Sequence, residues 1–268
     1  MTHQTVRVTA PAPEAELAAD ALWQAGATAI EERPAAASVV LVAAVPDSGD
    51  VDPGPLLAAV AGRWPAEVAA VDLDAALDAW RGHARPVVAG GGRLTIRLGG
   101  SPDPESGEIV VDPGRAFGSG AHPSTRLVLE ALVGQVRGGE RVLDVGSGSG
   151  ILAVAALALG AGTALAVDSD PAARQATTAN AARNGFSGRV TVSDTIAGRH
   201  GLVAANLLLV DHRTLAPAIA DAVDDGGTLV LSGVLASQRD ALLAAYPGLV
   251  PGGERDGDGW VALSLRAP

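Results

Sequence analysis

The chain has 268 residues, 48% of them apolar and 18% charged, so it is long and apolar enough to bury one large core or two ordinary ones and is not intrinsically disordered. It has no cysteine, and its 19 basic residues are all arginine, which excludes disulfides, thiolate metal sites, cysteine nucleophiles, P-loops and lysine Schiff bases. The 30 acidic residues give a net charge of −11, which opposes nucleic-acid phosphates and favours a basic protein partner, and four Trp, two Phe and one Tyr are too few for a base-stacking platform.

The opening MTHQTVRVTAPAPEAE lacks the apolar stretch of a signal peptide, so a cytoplasmic location is expected. Residues 1–75 read as a small α/β domain. Val6–Val8 suggests a strand, and Pro13–Ala25 a helix with Leu17, Ala21 and Leu22 on one face, ended by Gly26. Val39–Val45 suggests a strand, Pro55–Trp64 a helix and Val68–Leu73 a further strand. No chemistry is visible there, which fits a docking or packing module. Residues 76–108 read as a connector, with glycine-rich turns around a short strand, Leu94–Leu98.

From residue 109 to 268 helix and strand alternate. Helices are predicted at Pro123–Val136, from Ile151 to Leu159, and at Pro171–Asn184, Arg213–Val223 and Ser237–Ala245. Strands are predicted at Arg141–Val145, Ala164–Val167, Val190–Val192, Leu202–Ala205, Thr228–Leu231 and Trp260–Leu265. Such alternation implies a largely parallel sheet covered on both faces, with its ligand at the carboxyl ends of the strands. The uncharged run Ile151–Val167 is too short to span a bilayer and reads as helix, turn and strand, so no membrane association is expected.

The most informative segment is Val142-Leu143-Asp144-Val145-Gly146-Ser147-Gly148-Ser149-Gly150, a buried strand entering three glycines at alternate positions. Glycine suits a sharp turn that a ligand must approach closely. Asp168 ends the next strand, where a carboxylate can accept the ribose hydroxyls of a nucleoside. A dinucleotide fingerprint would need a third glycine where Ile151 stands, and Asp144 would repel a pyrophosphate. The spacing instead favours S-adenosylmethionine (AdoMet), with Asp144 near its cationic methionine part. An NAD-type oxidoreductase is the disfavoured competitor. The serine-hydrolase pattern is not matched. The five histidines show no metal spacing, so no metal is expected.

The second segment is Asp112-Pro113-Gly114-Arg115-Ala116-Phe117-Gly118-Ser119-Gly120-Ala121-His122-Pro123-Ser124-Thr125, a glycine-rich loop leading into a helix. This segment, VLDVGSGSGILAVAALALGA, AVDSDPAARQATTANAARNG, AANLLLVDHRTLAP and GGTLVLSGVLASQ together resemble the methyltransferases of large-subunit ribosomal protein eleven, the PrmA type, over about residues 78–266. The resemblance implies a class I AdoMet-dependent methyltransferase: a Rossmann-like, seven-stranded, mostly parallel sheet with a small N-terminal α/β domain that holds the ribosomal protein. It implies AdoMet as cofactor and transfer to amines of that basic protein, lysine side chains among them, by an enzyme expected to be a monomer. On the matching positions it implies that Phe117, Gly118, Thr125, Asp144, Gly146, Gly148 and Asp168 bind cofactor. Asn206 would sit beside the sulfonium and the acceptor amine, as the catalytic residue. Asp194 would face the adenine, and His122 would cap the loop. The sequence departs from the family at Ser119, Ser124 and Gly201. The competing readings are the same fold acting on another protein or a small molecule, and an AdoMet-binding module without catalysis.

Overall fold

The computed structural model describes residues 2–27, 29–35, 37–45, 52–72, 86–99, 108–112, 120 and 122–268. The chain forms two compact units, Met1–Gly82 and His83–Pro268.

The first unit is an antiparallel sheet of β1 (Thr2–Pro11), β2 (Ala29–Ala35), β3 (Ser38–Ala44) and β4 (Ala66–Asp72), in the order β2-β3-β1-β4. Helices α1 (Ala15–Gln24) and α2 (Gly54–Val60) complete a core of Val6, Val8, Leu22, Leu41, Leu56 and Val60. The sequence reading recovered three strands and missed β2. Its Ile30-Glu31-Glu32-Arg33-Pro34 lacks apolar alternation because β2 lies at a sheet edge, where charge and proline are tolerated. The buried face of α1 also differs from expectation. Ala15, Ala18, Ala19 and Leu22 point inward at helical spacing, while Leu17 is 47% exposed. In an alanine-rich helix the apolar contrast between faces is too weak to choose the stripe by eye.

The second unit begins earlier than the expected boundary at 109. Within the segment read as a connector, β5 (Val87–Ala89) pairs antiparallel with β6 (Leu94–Leu98), and β6 pairs parallel with β7 (Ile109–Val111). The alternation of buried and half-buried residues along β6 marks it as a sheet element, not a tether.

The main sheet of this unit has seven strands: β8 (Arg141–Val145), β9 (Thr163–Val167), β10 (Val190–Ser193), β11 (His200–Asn206), β12 (Val223–Leu235), β13 (Val250–Gly257) and β14 (Trp260–Arg266). Their order is β10-β9-β8-β11-β12-β14-β13. The first five are parallel to their neighbours, and β14 runs antiparallel to both β12 and β13. Helices α3 (Pro123–Gln135), α4 (Ile151–Ala158), α5 (Pro171–Arg183), α6 (Leu209–Asp221) and α7 (Arg239–Ala244) complete the unit. From β8 the chain winds outward to β9 and β10, then crosses back to β11 and β12. The crevice between the carboxyl ends of β8 and β11 is therefore the topological switch point, where open α/β sheets place their ligands.

Several local causes are plain. Every α4 residue from Ile151 to Leu157 is buried, which accounts for its unbroken apolar run. Asp170 caps α5, accepting from the Ala172 N–H at 2.8 Å, with Pro171 in the first turn. Helix α6 starts at Leu209, four residues before the prediction, and passes Pro217 without a break. The edge strand β13 was missed: Val250-Pro251-Gly252-Gly253-Glu254-Arg255 is exposed and reads as loop. Surface ion pairs use arginine: Arg7 with Glu67, Arg97 with Glu108, and Arg239 with Glu254. Among the described residues, no helix is long and apolar enough to cross a membrane.

Candidate active site

A cavity of about 950 Å³ opens at the switch point, within the range typical of small-molecule sites. Its lining includes Gly146, Gly148 and Asp168 from the glycine loop and the end of β9, Asp194 and Ile196 after β10, and Asn206, Leu207 and Leu208 at the end of β11, with His122 and Trp260.

The glycine loop has the geometry that its spacing implied. Gly146, Gly148 and Gly150 have φ of 71°, 53° and 77°, in the left-handed region. The N–H groups of Gly146 and Ser147 both donate to the Val167 carbonyl, at 2.8 and 3.0 Å, which ties the loop to the end of β9. A Cβ at Gly146 would collide with the Leu207 side chain, and one at Gly150 with Thr177. Asp168 follows β9 directly. Its Oδ2 accepts from the Gly148 N–H and its Oδ1 from the Asp170 N–H, both at 2.9 Å. The carboxylate is thus fixed at the cavity with lone pairs to spare for two hydroxyl donors.

Asp144 lies elsewhere than expected. It is fully buried beneath the loop, outside the cavity wall, and its Oδ2 accepts from the Ala153 N–H in the first turn of α4 at 3.1 Å. Its Oδ1 has no partner among the described residues. Burial pushes its pKa up to about 7, against the Ala153 bond, and the Asp168 charge adds to the rise.

Asn206 closes β11 at the cavity. Its Nδ2 donates to the Thr125 hydroxyl at 3.2 Å, while its buried Oδ1 has no partner among the described residues. A buried acceptor left open at a cavity wall is costly unless something arrives to fill it. Thr125, expected to contact the cofactor, is 1% exposed and reaches the cavity wall through Asn206. His122 does cap α3: its Nδ1 accepts from the Ser124 N–H at 3.3 Å and lies 2.8 Å from the Ser124 hydroxyl. Burial lowers its pKa. Its ring meets Trp260 edge to face, with centroids 4.5 Å apart. Phe117 and Gly118 lie outside the described residues.

The structure therefore brings Gly146, Gly148, Asp168, Asp194, His122 and Asn206 together around one cavity, with Thr125 and Asp144 one layer behind. Sequence reasoning missed Trp260, Leu207 and Leu208. Trp260 reaches the site because β14 is antiparallel, so its first residue lies at the end where the parallel strands finish. Knowing the direction of β14 would have revealed it.

The donor set fits AdoMet. Positive-φ glycines admit a ligand to the backbone, a bound carboxylate meets hydroxyl donors, and apolar Val145, Val167 and Ile196 offer a flat ring a surface. Among the described residues, no three or more His, Cys, Asp or Glu side chains cluster so as to hold a metal ion.

The sequence model of the family "Ribosomal protein L11 methyltransferase (PrmA)" matches residues 63–268. A ribosomal protein L11 methyltransferase of Sorangium cellulosum is 37% identical, covering 98% of this chain and 95% of that protein. One from Thiobacillus denitrificans is 35% identical, covering 98% of each. The crystal structure of a ribosomal protein L11 methylase from Lactobacillus delbrueckii subsp. bulgaricus superposes with a TM-score of 0.59 at 28% identity, covering 66% of this chain and 96% of the other. The larger unit accordingly has the Rossmann-like class I methyltransferase fold. Matched along nearly its whole length by proteins of one kind, the chain belongs to the ribosomal protein L11 methyltransferase (PrmA) family.

Proposed function

We infer that this chain transfers methyl groups from AdoMet to amines of ribosomal protein L11, lysine side chains among them. The observation that carries the chemistry is the open Asn206 Oδ1, a buried acceptor at the wall of a cavity built on a glycine loop. When bound, AdoMet supplies a methyl group already activated by its sulfonium.

In this reading Gly146 and Gly148 let the cofactor lie against the backbone, Asp168 takes its ribose hydroxyls and Asp194 faces its adenine. The incoming lysine, with an ordinary pKa near 10.4, must be neutral to use its lone pair. An apolar wall of Leu207, Leu208 and Trp260 disfavours the ammonium. Asn206 Oδ1 then accepts an amine N–H and aims the lone pair along the line of transfer. Positioning of this kind can supply about 7–11 kcal/mol, so no strong base is required beside it. Thr125 holds the Asn206 amide in place from behind.

The Met1–Gly82 unit is proposed to hold L11, with the −11 net charge drawing in a basic partner. Every described residue lining the cavity lies in the larger unit, and the chain is proposed to act as a monomer. The reaction is placed in the cytoplasm, where ribosomal proteins are made.

The test is incubation with AdoMet and unmethylated L11, read by mass spectrometry. Added methyl masses on L11 lysines are expected. Label entering other proteins but not L11 would overturn the substrate, and no heat on calorimetric titration with AdoMet would overturn the cofactor.

A further inference from the structure

The corner that carries Asn206 is held by a polar chain inside the core of the larger unit, made of residues to which the reaction assigns no part. His212, in the first turn of α6, and Ser232, in β12, are completely buried, and Tyr246, just after α7, is 1% exposed. The His212 Nε2 lies 2.8 Å from the Ser232 carbonyl oxygen, and its Nδ1 lies 3.0 Å from the Tyr246 hydroxyl. A carbonyl can only accept, so Nε2 carries the proton and donates to it. Nδ1 is then an acceptor, and the Tyr246 O–H donates to it. Tyr246 thereby fixes which tautomer His212 adopts. Burial lowers the His212 pKa and raises that of Tyr246, which keeps both neutral.

The acceptor at the end of this chain is the significant one. Ser232 is the register partner of Asn206 across β11 and β12. The same Ser232 carbonyl also accepts the Leu207 N–H, at 3.1 Å. The Leu208 carbonyl in turn accepts the N–H groups of Asp211 and His212, both at 3.0 Å. The chain from Leu207 to His212 is thus closed into a ring on one carbonyl oxygen, backbone at one end and imidazole at the other. Gly233, with φ +89°, lies directly against the Leu207 backbone, where a Cβ would collide, and the Leu207 side chain packs on Gly146. Asn206 stands immediately before this ring, and its side-chain oxygen is useful only if its backbone is held still. A leucine in place of His212 could fill the same core volume. It would leave the Ser232 lone pair and the Tyr246 hydroxyl unsatisfied.

We propose that His212, oriented by Tyr246, is a positioning residue for methyl transfer: it clamps the Leu207–His212 ring onto Ser232 and so sets where Asn206 presents its amide to the amine. This rests on the role assigned to Asn206 above. A misplacement of an ångström in a reacting geometry can cost about 100-fold, so a loss of about 10- to 100-fold in kcat is the expected effect of releasing the clamp.

The experiment compares the full chain with His212→Leu, His212→Gln and Tyr246→Phe, using unmethylated L11 as substrate. In His212→Leu, kcat should fall about 10- to 100-fold while KM for L11 and the calorimetric Kd for AdoMet stay within about threefold. His212→Gln, which keeps an N–H for Ser232, should recover most of kcat whatever its melting temperature. Nitrogen-15 NMR of the unliganded protein at pH 7.5 should show a neutral His212 with the proton on Nε2, and a changed His212 signal in Tyr246→Phe. Wild-type kcat in His212→Leu, or in Tyr246→Phe should the leucine variant not fold, overturns the proposal, as does an Nδ1–H or doubly protonated imidazole. Asn206→Ala runs alongside. If it loses turnover while the His212 variants do not, only the clamp fails. If it keeps wild-type turnover, the reading of Asn206 fails.

Discussion

Asn206 carries the sharpest prediction at the scale of single residues. Asn206→Ala removes the open acceptor but none of the groups assigned to the cofactor. AdoMet affinity by calorimetry should stay within about tenfold, while kcat for L11 falls by about 100-fold or more. Gly146→Ala should act in the opposite sense, on binding first: a Cβ there meets Leu207 in a backbone conformation that L-residues avoid. Calorimetry should show AdoMet affinity lost together with activity. Asp144 gives a pH signature. Its folded pKa, about 7, lies above the ordinary 3.8, so folding takes up a proton between these values. The stabilising contribution is fully present below pH 4 and disappears as pH rises through 7, a change of at most about 4 kcal/mol. The urea midpoint of the ligand-free protein should therefore fall from pH 5 to pH 8, and Asp144→Asn should flatten that slope. An equal slope in the variant would mean that the carboxyl is already ionised at pH 5.

Individual elements were legible where their own residues decide the matter. The strand–glycine–helix unit around Asp144–Gly150 combines a buried apolar strand, positive-φ glycines and a capless apolar helix, and each is written locally. The helix bounded by Pro171 and Gly185 is equally self-announcing. What escaped depends on neighbours. Strands β2 and β13 are edges whose polar residues are permitted only because one side pairs, and the wall residue Trp260 is set by the direction of β14. Thr125 and Asp144 carried the right chemistry, but depth is invisible in a motif: both sit one layer behind the cavity. The orientation of α1 can be checked directly. Leu22→Ala, fully buried, should cost about 2–5 kcal/mol of stability in denaturant melts, whereas Leu17→Ala should cost less than about 0.5 kcal/mol.

For the whole molecule, the division after Gly82 separates two tasks that can be tested apart. A chain of residues 83–268 retains the complete sheet and every described wall of the cavity. It should bind AdoMet with near-native affinity and fail to methylate L11, as scored by mass spectrometry; undiminished methylation of L11 would remove the docking role from the first unit. The arginine-only ion pairs have one last consequence. A transferase for primary amines has a hazard in its own surface, since any ammonium-bearing side chain near the crevice of a second copy competes with the intended acceptor. Guanidinium groups keep the electrostatic pairing, yet they hold their protons far too tightly to act as nucleophiles in an amine-selective pocket. These 268 residues thus carry no lysine side chain that a second copy could present as a competing acceptor.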